Sequence, residues 1–331
     1  MGWKGTVRAI NATAKQAGRN AKKHQRALEK RQSQHAKMQE FELASYEVDT
    51  YENHIEIVQS MHKERAEGIN WHQIAVAQEP FKPAFSNIFE QEAIKQKKEY
   101  KPSFIDRLFK RGETKLEAFD KAIESAKKKD YESHESSVQV WSQECVDWAD
   151  SIKQANKILA GAPDAKIDVI KEMNPFSELD AIGSSLHLTI SDTSLVTVNI
   201  NIHGEDIIPS EQKSLLKSGK LSVKKMPIGK FNEIYQDYVC SSALRVASEL
   251  FAILPDEFVL INATDKMINK STGHLEEQNV LSVYISRSTL FELNMEAIDP
   301  SDCMRNFVHN MSFKKTNGFE AIETVDVEAI A

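Results

Sequence analysis

Cysteine is scarce in this chain of 331 residues, and long hydrophobic runs are absent. Cys145, Cys240 and Cys303 are widely spaced and odd in number, so they fit neither a disulfide scaffold nor a zinc site. We therefore expect a reducing, cytoplasmic location. No run approaches the roughly 18 apolar residues of a transmembrane helix. The N-terminal residues lack the apolar stretch of a secretory signal, so we expect neither feature.

Standard catalytic and cofactor motifs are also missing. The sequence contains no P-loop, no dinucleotide-binding glycine motif, no nucleophile elbow, no H-E-x-x-H and no C-x-x-C. We therefore predict no cofactor and no metal site. These absences argue against an enzyme without excluding one.

Four acidic or histidine side chains remain as weak catalytic candidates. Glu233 and Asp237 lie four residues apart, on the polar face of a predicted helix, where two carboxylates can share a divalent cation. His274 and Glu276 lie in a His-Leu-Glu-Glu run that lacks the second histidine of a zinc protease. Residues 211–213 have the Glu-x-Lys spacing of a nuclease motif, on a segment that we predict to be helical.

The charge is unevenly distributed along the chain. The net charge is -7, but residues 1–40 carry ten Lys or Arg and two Glu, a net charge of +8. A basic arm on an acidic body predicts either an anionic partner or a solvated helix face. The candidate nucleic-acid contacts on this arm are Lys15, Arg19, Lys22, Lys23, Arg26, Lys30 and Arg31.

The first 62 residues have the pattern of a long helix. No Gly or Pro occurs between Gly18 and Gly68, and apolar side chains follow alternating steps of three and four residues. This spacing is typical of a coiled coil. It forms two registers: Val7, Ile10, Ala14, Ala17, Ala21, His24, Leu28, and then Phe41, Ala44, Val48, Tyr51, Ile55, Val58, His62.

A second helical pattern covers residues 113–160. Its seam consists of Tyr131, His134, Val138, Trp141, Cys145, Trp148, Ile152, Ala155 and Leu159. Two arrangements stay open: an antiparallel helical hairpin within one chain, and an intermolecular coiled coil. We expect self-association, or binding of a partner protein, through residues 1–62 and 113–160.

In the last 150 residues the pattern changes near Ser185, where apolar and polar residues begin to alternate. This alternation predicts a half-buried β-hairpin. A wide apolar stripe from Phe231 to Phe251 predicts a long helix that covers the sheet. We predict strands at 258–262 and 280–285, and Asp299 as the cap of a last helix. The fold class is thus a long helical or coiled-coil N-terminal region followed by a compact α+β domain. The predicted boundaries are 1–62 (basic helix), 63–112 (Pro-containing connection), 113–182 (second helical segment) and 183–331 (α+β domain).

Three stretches of the C-terminal domain carry a resemblance. They are KFNEIYQDYVCSSALRVASELFAILP, STGHLEEQNVLSV and DPSDCMRNFVHNMSFKKTNGF. They resemble a group of uncharacterised bacterial proteins that combine a helical N-terminal region with this domain, over residues from about 100 to 325. The resemblance implies a bacterial, intracellular protein and brings no catalytic residue.

These observations lead to one interpretation and two alternatives. The interpretation is an interaction or scaffold protein, with a helical rod for oligomerisation or docking and a globular recognition domain. The first alternative is nucleic-acid binding by the basic arm. The second is a metal-dependent nuclease of a bacterial defence or mobile-element system.

Overall fold

The computed structural model describes residues 40–64, 67–101, 112–176, 185–191 and 193–330. Our predictions for the basic arm and for the first register of the helix, residues 1–39, lie outside these ranges. The described chain divides into two compact units. Residues 72–155 form the helical unit, and residues 40–71 with 156–330 form the α+β unit.

The secondary structure follows the chain in this order. The helical N-terminal half contains α1 (Glu40–Ser60), a 3-10 turn (Met61–Lys63), α2 (Trp71–Ala75), α3 (Ile88–Glu99), α4 (Gly112–Leu159) and α5 (Pro163–Met173). The mixed half contains β1 (Ser185–Ile190), β2 (Val196–Asn201), α6 (Gly204–Ile207), β3 (Glu211–Leu215), β4 (Leu221–Lys225), α7 (Ile228–Ile253), β5 (Phe258–Ile268), β6 (Leu275–Ser286), α8 (Arg287–Glu292), α9 (Pro300–Cys303), β7 (Val308–Lys314) and β8 (Gly318–Glu320). None of the described helices is apolar over enough of its length to cross a bilayer.

Helix α4 is the main element of the helical unit. Its 48 residues contain no proline and only one glycine, at the first position, so the helix continues without a break for about 72 Å at 1.5 Å per residue. The helical pattern predicted over residues 113–160 therefore corresponds to a single continuous helix.

The seam of α4 packs against an extended segment instead of a second helix. Trp148 Nε1 donates to the carbonyl oxygen of Ala77 (2.9 Å), and Trp141 Nε1 donates to that of Pro80 (2.9 Å). Residues 77–87 are not helical, so their carbonyl groups are free to accept from the indoles. Further along, the carboxylate of Asp130 accepts from the first turn of α3, at the backbone N–H groups of residues 89 and 90. This segment, residues 77–100, runs antiparallel to α4, and we call it the strap.

The sheet of the α+β unit has six strands in the order β1-β2-β5-β6-β7-β8. Strands β2 and β5 are parallel, and the other neighbours are antiparallel. The predicted β1–β2 hairpin and both predicted central strands are present, and the α+β class is confirmed. Helix α7 packs on β5 and β6, where alternate side chains such as Val259, Ile261 and Val283 are fully buried.

Helix α1 belongs to the α+β unit and packs along α7. The second predicted register is indeed the buried face, since Ala44, Val48 and Val58 are all less than a tenth exposed. Its partner was not predicted. The sequence favoured another copy or residues 131–159, whereas the structure places α7 of the same chain against this face.

One local prediction is wrong. Residues 211–213, predicted to be helical, form the start of β3, which pairs with β4 in a separate antiparallel hairpin. Cross-strand pairing outweighs the weak helical preference of a short polar run.

Candidate functional site

The α+β unit contains a polar groove of about 630 Å³. Its volume lies within the range of about 300 to 1,000 Å³ that is typical of small-ligand sites. Five elements line it: α1, the 3-10 turn, β3, α7 and the loop before α9. We call it the polar groove, and its lining residues are Tyr51, Glu52, Ile55, Glu56, Gln59, Ser60, His62, Lys63, Gln212, Lys213, Ser214, Lys230, Asp237, Ala297, Ile298, Asp299 and Pro300.

Two carboxyl groups of the groove have opposite electrostatic environments. Burial raises the pKa of Asp237, and the nearby charges of Asp299 and Glu233 add to this effect. Hydrogen bonds oppose it, including one from Gln59 Nε2 to Asp237 Oδ2 at 2.6 Å. For Asp299, partial desolvation works against ionisation, but hydrogen bonds from residues 301 and 302 hold its pKa below the usual value. The groove therefore holds one carboxyl group whose pKa is raised and one whose pKa is lowered.

Asp299 is held by the helix that it caps. Its Oδ1 accepts from the backbone N–H groups of Ser301 (3.0 Å) and Asp302 (2.9 Å). Pro300 follows it at the first helical position, where a missing N–H group costs nothing. The predicted cap is therefore confirmed, and it fixes this carboxylate at the edge of the groove.

His62 is a buried, neutral member of the lining. Ser241 Oγ accepts from the backbone N–H of His62 (3.0 Å) and lies 2.9 Å from its Nδ1. The serine hydroxyl either donates to Nδ1 or accepts from it, depending on the tautomer of the ring. The other ring nitrogen, Nε2, is buried and faces the backbone of Met295 without a hydrogen bond of good geometry. Burial and the charge of Lys63 lower the pKa of His62.

Tyr51 contributes a buried hydroxyl group. The residue is 8% exposed, and its oxygen has no hydrogen-bond partner among the described residues. Burial, with a smaller effect of Glu52, raises the pKa of this phenol, so it stays protonated and can donate or accept.

Two buried cysteines, Cys240 and Cys303, have raised pKa values. Burial raises the pKa of Cys240 well above its usual value, and the charges of Asp237 and Asp299 contribute. The pKa of Cys303 is raised as well, mainly by desolvation. Both side chains are therefore thiols, and reactivity requires the thiolate.

The four sequence candidates do not gather at one place. Asp237 lines the groove, whereas Glu233, one turn away on α7, forms an ion pair with Lys315. His274 lies exposed in the β5–β6 turn, and Glu276 accepts from Thr272 (2.6 Å) and Asn269 (2.7 Å).

No cluster of three or more His, Cys, Asp or Glu side chains in the described ranges has the arrangement of a metal site. The basic candidates from Lys15 to Arg31 lie before the first described residue.

The sequence analysis did not predict that most of the groove residues share a site. Tyr51 and His62 appeared only as packing positions of a helical seam, and Asp299 only as a cap. No short motif joins them, because they come from segments that are separated by more than two hundred residues.

Comparison with known proteins gives no further guide. No protein-family model matches the chain, and neither curated proteins nor solved structures include a significant match.

Proposed function

We propose that this chain is an interaction protein that associates with a second copy of itself through the helical unit. One observation carries the proposal: the helical unit leaves large apolar side chains in contact with water. Phe81 is 89% exposed, Ile88 68% and Val140 58%. Exposed apolar surface of this kind is characteristic of protein–protein contacts.

The charge pattern of α4 favours another α4 as the partner. Lys127, Lys128 and Lys129 form an exposed basic block. Glu144, Asp147 and Asp150 form an acidic block about five turns later. In an antiparallel pair of α4 helices that cross near residue 138, Lys129 of each copy faces Glu144 and Asp147 of the other, because these three residues share the helix face of Val140. Such complementarity fixes register and suppresses wrong partners.

The second register packs on α7 of the same chain, so the coiled-coil proposal now concerns the first register alone, from Val7 to Leu28, which lies outside the described residues. A cytoplasmic location is also part of the proposal, because all three cysteines are free thiols. The bacterial origin rests on the resemblance of the C-terminal stretches alone.

Light scattering tests self-association. We expect the intact protein to scatter at micromolar concentration as a particle of at least twice 37.5 kDa. Changing Lys127, Lys128 and Lys129 to Glu should weaken association by roughly tenfold or more, because like charges then face each other. Combining this change with Glu144, Asp147 and Asp150 changed to Lys should restore it.

A matched control keeps the same change of net charge. Lys217, Lys220 and Lys266 are exposed lysines of the α+β unit, and changing them to Glu should leave association unchanged. A monomer of 37.5 kDa at every concentration would refute the proposal.

A second candidate function is nucleic-acid binding by the N-terminal arm. One sequence observation favours it: residues 1–40 carry a net charge of +8, and the other 291 residues carry -15. Lys and Arg on an exposed segment mainly contact phosphates, so little base preference is expected.

For this candidate, removal of residues 1–40 should abolish the electrophoretic shift of duplexes of any sequence. The shift of the intact protein should weaken by roughly tenfold or more between about 50 and 200 mM salt, because binding releases counterions. Equal retention of DNA and RNA by intact and truncated protein would eliminate this role.

A further inference from the structure

The hairpin of β3 and β4 is a basic surface on an otherwise acidic part of the chain. Residues 211–225, which we call the basic hairpin, carry five Lys and one Glu, a net charge of +4. Residues 41–331 together carry -15, so all of them except the basic hairpin carry -19. Four of the lysines are exposed: Lys217, Lys220, Lys224 and Lys225. A surface of this kind attracts an anionic partner.

The basic hairpin also exposes apolar side chains. Leu215 is 39% exposed, Leu216 46% and Val223 45%. Leu215 lies directly opposite Leu221 in the antiparallel ladder, and Val223 shares the face of Leu221 because successive side chains of a strand alternate between faces. The end of the hairpin therefore combines apolar side chains that contact water with neighbouring lysines.

The turn of the basic hairpin is closed by its own hydrogen bonds. The backbone N–H of Leu216 donates to the carbonyl oxygen of Lys220 (2.9 Å), and that of Gly219 donates to the carbonyl oxygen of Leu216 (2.9 Å). Gly219 has a φ of 79°, in the left-handed region that favours glycine. Helix α1 packs on both strands, and Lys213 pairs with Glu47. The strands are thus anchored to α1, and the ordered turn presents Leu216 beside Lys220.

This combination of residue types favours a lipid surface over nucleic acid. Nucleic-acid sites commonly use Arg for base edges and aromatic rings for stacking, and residues 211–225 contain neither. Exposed leucines gain nothing from a phosphate backbone, whereas they are stabilised when they leave water for the boundary between headgroups and acyl chains. Lysines beside them are attracted to anionic lipid headgroups.

We infer that the basic hairpin docks the chain on the surface of an anionic lipid bilayer. Leu215 and Leu216 enter the boundary between headgroups and acyl chains, while Lys217, Lys220 and Lys224 contact the anionic headgroups. Two leucines with a few lysines give peripheral, reversible binding. This surface belongs to the α+β unit and is independent of self-association by the helical unit.

Sedimentation of the full chain with lipid vesicles tests the inference. We expect saturable binding to vesicles of phosphatidylcholine mixed with phosphatidylserine. Binding to vesicles of phosphatidylcholine alone should be at least roughly tenfold weaker, because the lysines then face no net negative charge. The basic N-terminal arm can also attract anionic lipid, so the contribution of the hairpin is measured with variants that keep the arm.

Two variants separate the apolar part of the contact from the charged part. Leu215→Ala with Leu216→Ala should weaken binding by roughly tenfold, because less apolar surface leaves water. Lys217→Gln with Lys220→Gln and Lys224→Gln should weaken it by more than roughly tenfold, since each lysine near an anionic surface strengthens binding by about fivefold. All five side chains are exposed, so the fold should be retained.

The control removes the same charge elsewhere in the α+β unit. Lys171, Lys266 and Lys270 are exposed lysines outside the basic hairpin, and changing them to Gln should leave vesicle binding unchanged.

Several results would overturn the inference. They are the absence of binding to anionic vesicles, equal binding to phosphatidylcholine alone, full affinity in either hairpin variant, and an equal loss in the control. Loss of an electrophoretic shift of duplex DNA by the hairpin variants, with vesicle binding intact, would assign the hairpin to nucleic acid instead. Self-association is measured separately by light scattering, so failure of one proposal is distinguishable from failure of the other.

Discussion

Replacing Trp71 with alanine is expected to lower the free energy of unfolding of the α+β unit by about 3–5 kcal/mol. The side chain is 1% exposed, and its Nε1 donates to the carbonyl oxygen of Ile253 at 2.7 Å. It thereby anchors the segment after α1 to the last residue of α7. The substitution removes a large buried ring and leaves a buried carbonyl without this donor.

The measurement is native-state hydrogen exchange of amides in α7 and β5, which reports on this unit alone. Trp71→Phe retains most of the ring and loses the hydrogen bond, so its cost should be about 1–3 kcal/mol. Trp141→Ala in the helical unit is the control, and it should leave exchange in α7 unchanged. Unaltered exchange in α7 of the Trp71→Ala variant would show that the segment after α1 does not stabilise the unit.

The second large effect is expected at a buried ion pair. Lys166 on α5 is 2% exposed; its Nζ donates to the carbonyl oxygen of Ser194 (2.8 Å) and pairs with Asp256. The other carboxylate oxygen, Asp256 Oδ2, is buried without a hydrogen-bond partner. Lys166→Met would leave this largely buried carboxylate without its hydrogen-bonded cation, and should cost about 3–5 kcal/mol of unfolding free energy.

A double variant separates the ion pair from simple packing. Lys166→Met with Asp256→Leu removes both charges and keeps similar volumes, so it should recover most of the lost stability. Urea unfolding of the three proteins provides the comparison. A double variant that is no more stable than Lys166→Met would mean that lost packing, and not an unpaired charge, explains the cost.

The sequence predicts elements whose signal lies within the element itself. The apolar stripe of α7, the alternating β1–β2 hairpin and the Asp299 cap each depend on neighbours in the chain, and each is present. Helix α4 is similarly evident from good helix formers and the absence of internal proline.

The sequence does not predict what covers each apolar face. The seam of α1 has the same period whether it meets α7, α4 or another chain, since periodicity indicates a buried face without identifying its partner. Likewise, Trp141 and Trp148 indicate packing, but only the structure shows that backbone carbonyls of the strap accept from their indoles. The polar groove depends on such long-range pairings, so its residues could not be assembled from sequence alone.

The division of the α+β unit into two stretches of chain has a consequence for its synthesis. His62 bonds to Ser241 across 179 residues of sequence, and Trp71 bonds to Ile253 across 182. At about 5–20 residues per second, α1 leaves the ribosome roughly 10 to 40 seconds before α7 does. During that interval the apolar face of α1 has no native partner. The nascent chain therefore carries an exposed hydrophobic segment for most of its translation, which makes it a substrate for chaperones that bind such segments.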